Sequence, residues 1–312
     1  MKSDPSKSSG LPAPLRGIVV PMVTPLLDRD SLDGEGLERL IEHILAGGVH
    51  ALFILGTTGE GPSLSYRLRD EMIERTCEQV AGRVPVLVGI TDTAFVESVN
   101  VAGKAKEAGA KALVLAHPCY FPAAQAEILE YLEHLASELP LPLFLYNMPS
   151  HTKLTFAPKT VRAAADIPGI VGLKDSSANM FYYHQVQMLL RDKPDFSLLV
   201  GPEELLAETV LLGGHGGVNG GANMRPQLYV DLYNAALSKD LSRVNSLHEK
   251  VMEISGKIYT VGAYSSYLRG LKCALSCMGI CSDFLAEPFQ RFGAEERDTI
   301  RRYVQELGLK KE

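Results

Sequence analysis

The chain has no run of about eighteen consecutive apolar residues, the length a membrane-spanning helix requires, so no such helix is expected. It has no lysine- or arginine-rich run outside its last few residues, and its formal charge is only −6 over 312 residues. Both facts argue against a nucleic-acid surface as its main business. The opening MKSDPSKSSGLPAPL has no apolar stretch of the kind a secretory signal carries, and residues 1–15 read as a flexible leader. Cysteine is scarce and odd in number: Cys77, Cys119, Cys273, Cys277 and Cys281. Such a set points to reduced thiols and a cytoplasmic location. The last three recur every four residues without a flanking histidine, so they read as core packing, and no metal site is expected anywhere in the chain.

What is present is an ordinary folded composition, 46% hydrophobic and 22% charged. From Arg16 onward, apolar runs alternate with amphipathic stretches. The runs are Gly17–Val23, Ala51–Leu55, Val84–Ile90, Ala112–Ala116, Leu141–Tyr146, Ile170–Lys174, Ser197–Gly201 and Gly214–Val218. They are continuous rather than alternating, as in a parallel sheet covered on both faces. Helical patterns fill the gaps, for example Ala94–Ala108, Ala157–Ala165 and Glu203–Leu212. Eight βα units in series without a linker predict an α/β fold, a closed (β/α)8 TIM barrel over residues 16–238. Residues 239–312 read as a C-terminal helical extension, with helices over Asp240–Ser255, Ala263–Gly279 and Ala294–Leu307.

In such a barrel the active site forms at the carboxyl ends of the strands. The fifth run ends on Tyr146 and the sixth on Lys174, with one helical pattern between them. A crossover of that kind makes the strands parallel neighbours about 4.8 Å apart. A phenol and an amine would then face the same small molecule. Lysine amines at apolar strand ends are candidate nucleophiles toward carbonyls, and a neighbouring phenol can shuttle protons. The second strand delivers Gly56-Thr57-Thr58-Gly59-Glu60, whose turn N–H groups and hydroxyls suit a carboxylate. A 2-oxo acid such as pyruvate carries both required groups. Two other readings of the same barrel are a non-catalytic 2-oxo acid sensor and, from the glycine-rich eighth strand, a phosphate-binding enzyme.

The motifs together resemble the dihydrodipicolinate synthase/N-acetylneuraminate lyase family of pyruvate-dependent class I aldolases. They are G-T-T-G-E at Gly56–Glu60, Y-N-x-P at Tyr146–Pro149, G-x-K-D at Gly172–Asp175 and GGHGGVNGGAN at Gly213–Asn223. The resemblance implies a Schiff base between Lys174 and pyruvate, with no other cofactor, and carbon–carbon bond chemistry with an aldehyde. It implies catalytic roles for Lys174, Tyr146 and Thr57, and for Tyr120 reaching a neighbouring subunit's site. It also implies substrate contacts from Gly56, Thr58, Val218 and Gly201, and a homo-oligomer, dimer or tetramer.

Two positions depart from the synthase pattern. His151 stands where synthases carry an arginine for the aldehyde's carboxylate, and Cys119 replaces a frequent tyrosine. Glu203 and Ser176 match positions that sugar-acid aldolases use. The expected second substrate is therefore a hydroxylated aldehyde, or a 2-keto-3-deoxy acid in the cleavage direction. Aspartate semialdehyde, the substrate of a true 4-hydroxy-tetrahydrodipicolinate synthase, is the alternative.

Overall fold

Each apolar run is a buried strand in the computed structural model, which describes residues 10–118, 120–263 and 266–309. The strands are β1 (Gly17–Pro21), β2 (Ala51–Ile54), β3 (Val86–Gly89), β4 (Ala112–Ala116), β5 (Leu143–Asn147), β6 (Ile170–Asp175), β7 (Ser197–Val200) and β8 (Gly216–Val218). All pair in parallel, and β8 returns to β1 through Gly17↔Gly216 and Val19↔Val218, closing the ring. Helices α1 (Gly34–Ala46), α2 (Tyr66–Val80), α3 (Phe95–Glu107), α4 (Gln125–Glu138), α5 (Pro158–Ala164), α6 (Met180–Leu189), α7 (Leu206–Leu211) and α8 (Pro226–Leu237) follow the strands in turn. The fold is a (β/α)8 TIM barrel, followed by α9 (Leu241–Ile258), α10 (Ser266–Cys277) and α11 (Ala294–Glu306). No helix among the described residues is long and apolar enough to cross a membrane.

Local chemistry places the element boundaries. Asp33, Ser65 and Asn179 cap α1, α2 and α6 by accepting from Gly36, Leu68 and Tyr182 N–H groups. Strand β5 starts at Leu143, two residues later than its apolar run, because Pro142 has no N–H to give the ladder. The expected single helix over Glu203–Leu212 is instead a 3-10 turn at Glu203–Leu205 followed by α7. A short antiparallel hairpin, Leu26–Asp28 with Ser31–Leu32, was too brief to leave a period in the sequence.

Alternation along the strands divides the core in two. Phe144 and Tyr146 point into the barrel with Val19, Phe53, Val114, Leu199 and Val218, whereas Leu143 and Leu145 face the helices. His50 and His215 sit just before β2 and β8, where their Nδ1 atoms accept from Ile18 and Leu198 N–H at 3.0 and 2.9 Å. Both are structural, satisfying strand backbone at the end remote from the site.

Candidate active site

The register settles how the two reactive strand ends meet. Tyr146 pairs directly with Lys174, and Asn147 with Asp175. Side chains opposite one another in a sheet point to the same face, so phenol and amine both enter the barrel. Lys174 is 5% exposed, and its Nζ lies 3.8 Å from the centre of the Tyr146 ring and 5.2 Å from that of Phe53. The amine therefore rests among aromatic faces. The adjacent carboxylate, Asp175, turns elsewhere: it accepts from Asn147 Nδ2 (2.8 Å), Ser177 N (3.1 Å) and Ser177 Oγ (2.9 Å). Burial pushes the Asp175 carboxyl above its ordinary value.

Tyr146 is the hub. Its hydroxyl is 3.2 Å from Thr57 Oγ1. Burial pushes this phenol upward, but the Lys174 charge and hydrogen bonds with Thr57, Lys174 and Ser176 outweigh it and leave the phenol below its usual range. A phenol so held exchanges protons readily with a neighbouring amine or substrate oxygen. Ser176 reaches this place over Gly201: a Cβ there would lie 1.9 Å from Ser176 Oγ. The Gly201 N–H donates to Asp175 O at 2.7 Å, tying β7 to β6 beneath the site. Val218 is buried in the same inner cluster, and Gly56 lies against the Phe53 ring.

Thr58 is buried beside Thr57, with its Oγ1 3.1 Å from Tyr267 Oη. His151 sits on a short helix, Pro149–Thr152, just past β5. Desolvation, then the charges of Lys153 and Lys174, hold its imidazole below the ordinary value, so it is neutral at pH 7. Tyr120 stands apart from this cluster. It is 87% exposed with φ +88°, edge-on to Phe121, also exposed, at 5.0 Å. His117 is buried and stacks on Phe156, ring centres 3.7 Å apart. Cys119 lies outside the described residues.

Glu203 requires a correction. Expected to meet substrate hydroxyls, it is 4% exposed and its carboxylate is taken by the protein itself. Tyr229 and Tyr259 hydroxyls donate to Oε1 at 2.7 and 3.1 Å, and Gly221 N–H donates to Oε2 at 2.7 Å. A buried carboxylate must be hydrogen-bonded in this way; Gly221 and Tyr229 belong to the last βα unit of the barrel, and Tyr259, at the end of α9, is the donor from beyond it. Burial, opposed by these hydrogen bonds and helped by Glu204, lifts Glu203 to about 7. The native state then keeps a proton that the unfolded chain has released between about pH 4.5 and 7, so stability falls as pH rises through that window. A shift of this size amounts to on the order of 3 kcal/mol. Thermal midpoints of the wild type and Glu203→Gln across pH 5–8 should converge at the acid end and separate at the alkaline end, with the variant the more stable; parallel curves would refute the burial argument.

The sequence reading also missed Tyr229, Tyr259, Tyr267 and Lys272. For Lys272 a signal existed, a lone cation inside the apolar stretch Leu271–Leu275. For the tyrosines there was none, since no strand end delivers them.

The site belongs to a closed βα barrel with a lysine and a tyrosine paired across β5 and β6. The model of the dihydrodipicolinate synthetase family matches residues 14–307. The 4-hydroxy-tetrahydrodipicolinate synthase of Pseudomonas syringae pv. syringae is 30% identical over 295 residues, spanning 95% of this chain and 99% of that protein. Dihydrodipicolinate synthase from Bacteroides thetaiotaomicron superposes with a TM-score of 0.93 at 61% identity, covering 95% of this chain and 100% of that one. The E. coli K12 prophage protein YagE, solved in complex with pyruvate, gives 0.89 at 28% identity over 94% of this chain and 99% of its own. The chain belongs to the dihydrodipicolinate synthetase family. It is an enzyme, a lyase of the pyruvate-dependent class I aldolase type.

Proposed function

We propose that Lys174 forms an imine with pyruvate and that the derived enamine joins, or leaves, an aldehyde carbon. The observation that carries this reading is the Tyr146↔Lys174 register pair with the Tyr146 hydroxyl 3.2 Å from Thr57 Oγ1. The Lys174 amine attacks the ketone carbon, and its proton passes to the carbinolamine oxygen through Tyr146 and Thr57. Tyr146 gives a further proton to the hydroxyl, which leaves as water, and the protonated imine remains. The Tyr146 phenolate takes a methyl proton to give the enamine, whose carbon attacks the aldehyde as Tyr146 protonates the new alkoxide, and hydrolysis of the resulting imine frees Lys174. Thr58, with turn N–H groups near Gly56, holds the pyruvate carboxylate, while Val218 and Gly201 shape the floor. The exposed Tyr120 fits a place in a partner subunit's relay, hence a homo-oligomer. Free thiols at Cys77, Cys273, Cys277 and Cys281 support a cytoplasmic location.

His151 and Ser176 favour a hydroxylated aldehyde or, in cleavage, a 2-keto-3-deoxy acid. A neutral imidazole donates and accepts single hydrogen bonds but lacks the fixed fork with which arginine grips a carboxylate. The second reading is aspartate semialdehyde, supported by the names of the relatives and by the Lys153 charge beside His151. Borohydride reduction with pyruvate should leave a covalent adduct on the peptide bearing Lys174; an unlabelled lysine would favour a sensor. Turnover with glyceraldehyde, N-acetylmannosamine and aspartate semialdehyde then ranks the partners. His151→Arg should raise kcat/KM for aspartate semialdehyde relative to glyceraldehyde by about tenfold, a bidentate contact's worth. An unchanged ratio would mean that residue 151 does not select.

A further inference from the structure

The eighth-strand turn and the C-terminal helices meet at the carboxylate nest, and the meeting is through hydroxyls. Tyr267 on α10 places its Oη 3.1 Å from Thr58 Oγ1, and its ring lies edge-on to Tyr259 with centroids 4.8 Å apart. A Cβ on Gly220 would lie 1.8 Å from that same Oη, and one on Gly221 would lie 1.8 Å from the Tyr229 hydroxyl. The glycines of this turn therefore make room for phenols. Behind Tyr267, the Glu203 oxygens are already engaged by Tyr229, Tyr259 and the Gly221 N–H. A phenol and a threonine hydroxyl each have one proton to give. Either hydroxyl can be the donor in the Thr58–Tyr267 contact; where Tyr267 donates, Thr58 accepts from it and keeps its own proton for whatever lies in the nest.

We infer that Tyr267 is a positioning residue for the substrate: braced by the Glu203–Tyr229–Tyr259 cluster, it donates to Thr58 and aims the Thr58 hydroxyl at the carboxylate of a 2-oxo acid. The C-terminal helices thus set affinity at a site whose reactive groups all come from the barrel. This rests on the reading that Thr58 binds the pyruvate carboxylate. The contacts of Tyr267 are with Thr58, Tyr259 and Gly220, so its effect passes through Thr58.

Borohydride trapping titrated with pyruvate on the full chain tests it, using the wild type, Tyr267→Phe, Thr58→Val and the double variant. Tyr267→Phe is expected to raise the half-saturating pyruvate concentration about tenfold, as for one lost hydrogen bond to a charged group, while maximal trapping and kcat stay within about twofold. In the Thr58→Val background it should add nothing further, because the effect passes through Thr58. Unchanged half-saturation, or losses that simply multiply in the double variant, would overturn the inference. The pyruvate-induced rise in melting midpoint is read in parallel on Lys174→Met and Lys174→Met/Tyr267→Phe, where no imine can form. A smaller rise with the second chain upholds the role of Tyr267 even if the wild type gives no adduct and the imine reading falls; equal rises there overturn it.

Discussion

Lys174→Met should reduce turnover by at least ~10⁴-fold and abolish borohydride labelling, while leaving the chain folded. Removing a residue that forms the covalent intermediate costs that order or more in kcat, because no neighbouring group offers a second amine: Tyr146, Thr57, Ser176 and Thr58 are all hydroxyls. Methionine retains the length and apolar stem that pack against Phe53 and Tyr146. It strands no anion either, since Asp175 already has Asn147 and Ser177 as partners. The melting midpoint should therefore stay level or rise. Single-turnover assays and mass spectrometry of the reduced adduct check the first part, scanning calorimetry the second. Retained labelling at another lysine, or turnover within about tenfold of the wild type, would defeat the assignment of the nucleophile.

The second large effect concerns stability. Lys272 is 0% exposed, and its Nζ lies 2.5 Å from Glu60 Oε1 and 2.8 Å from Thr24 O. The other Glu60 oxygen accepts from Ala286 N–H at 2.7 Å. Lys272→Met leaves that carboxylate buried without its cation, a change that costs about 3–5 kcal/mol. Glu60→Gln in the same chain should recover most of the loss, because a neutral amide removes the stranded charge. Glu60 sits two and three residues after Thr58 and Thr57 at φ +56°, so the same substitution should also raise the half-saturating pyruvate concentration. Urea unfolding and pyruvate saturation, measured together, test both parts. A stability loss below about 1 kcal/mol would show the pair to be dispensable.

Much of this site was legible before the structure. Lys174 and Tyr146 were found because each ends a continuous apolar run, and the register then placed them opposite one another. Thr57, just past the second run, took its role from the family resemblance, and its hydrogen bond to Tyr146 joins the end of β2 to β5. Glu203 lies just past the seventh run, yet its side chain turns to Tyr229 and Tyr259 rather than to the cavity. A strand end specifies where a residue is delivered; it says nothing of which donors wait there. The C-terminal helices were recognised as helices, but their part in the site was hidden, because the faces that carry Tyr267 and Lys272 read simply as apolar faces.

By itself, the sequence determined the order of strands and helices and the residue at each barrel rim, since both follow from local periodicity and from where an apolar run stops. Only the tertiary structure decided the partners of the buried polar groups: Thr58 with Tyr267 across 209 residues, Glu60 with Lys272 across 212. The reason is physical. A buried charge or hydroxyl must find a partner somewhere, but any donor that the closed barrel and its packed helices bring within about 3 Å will serve.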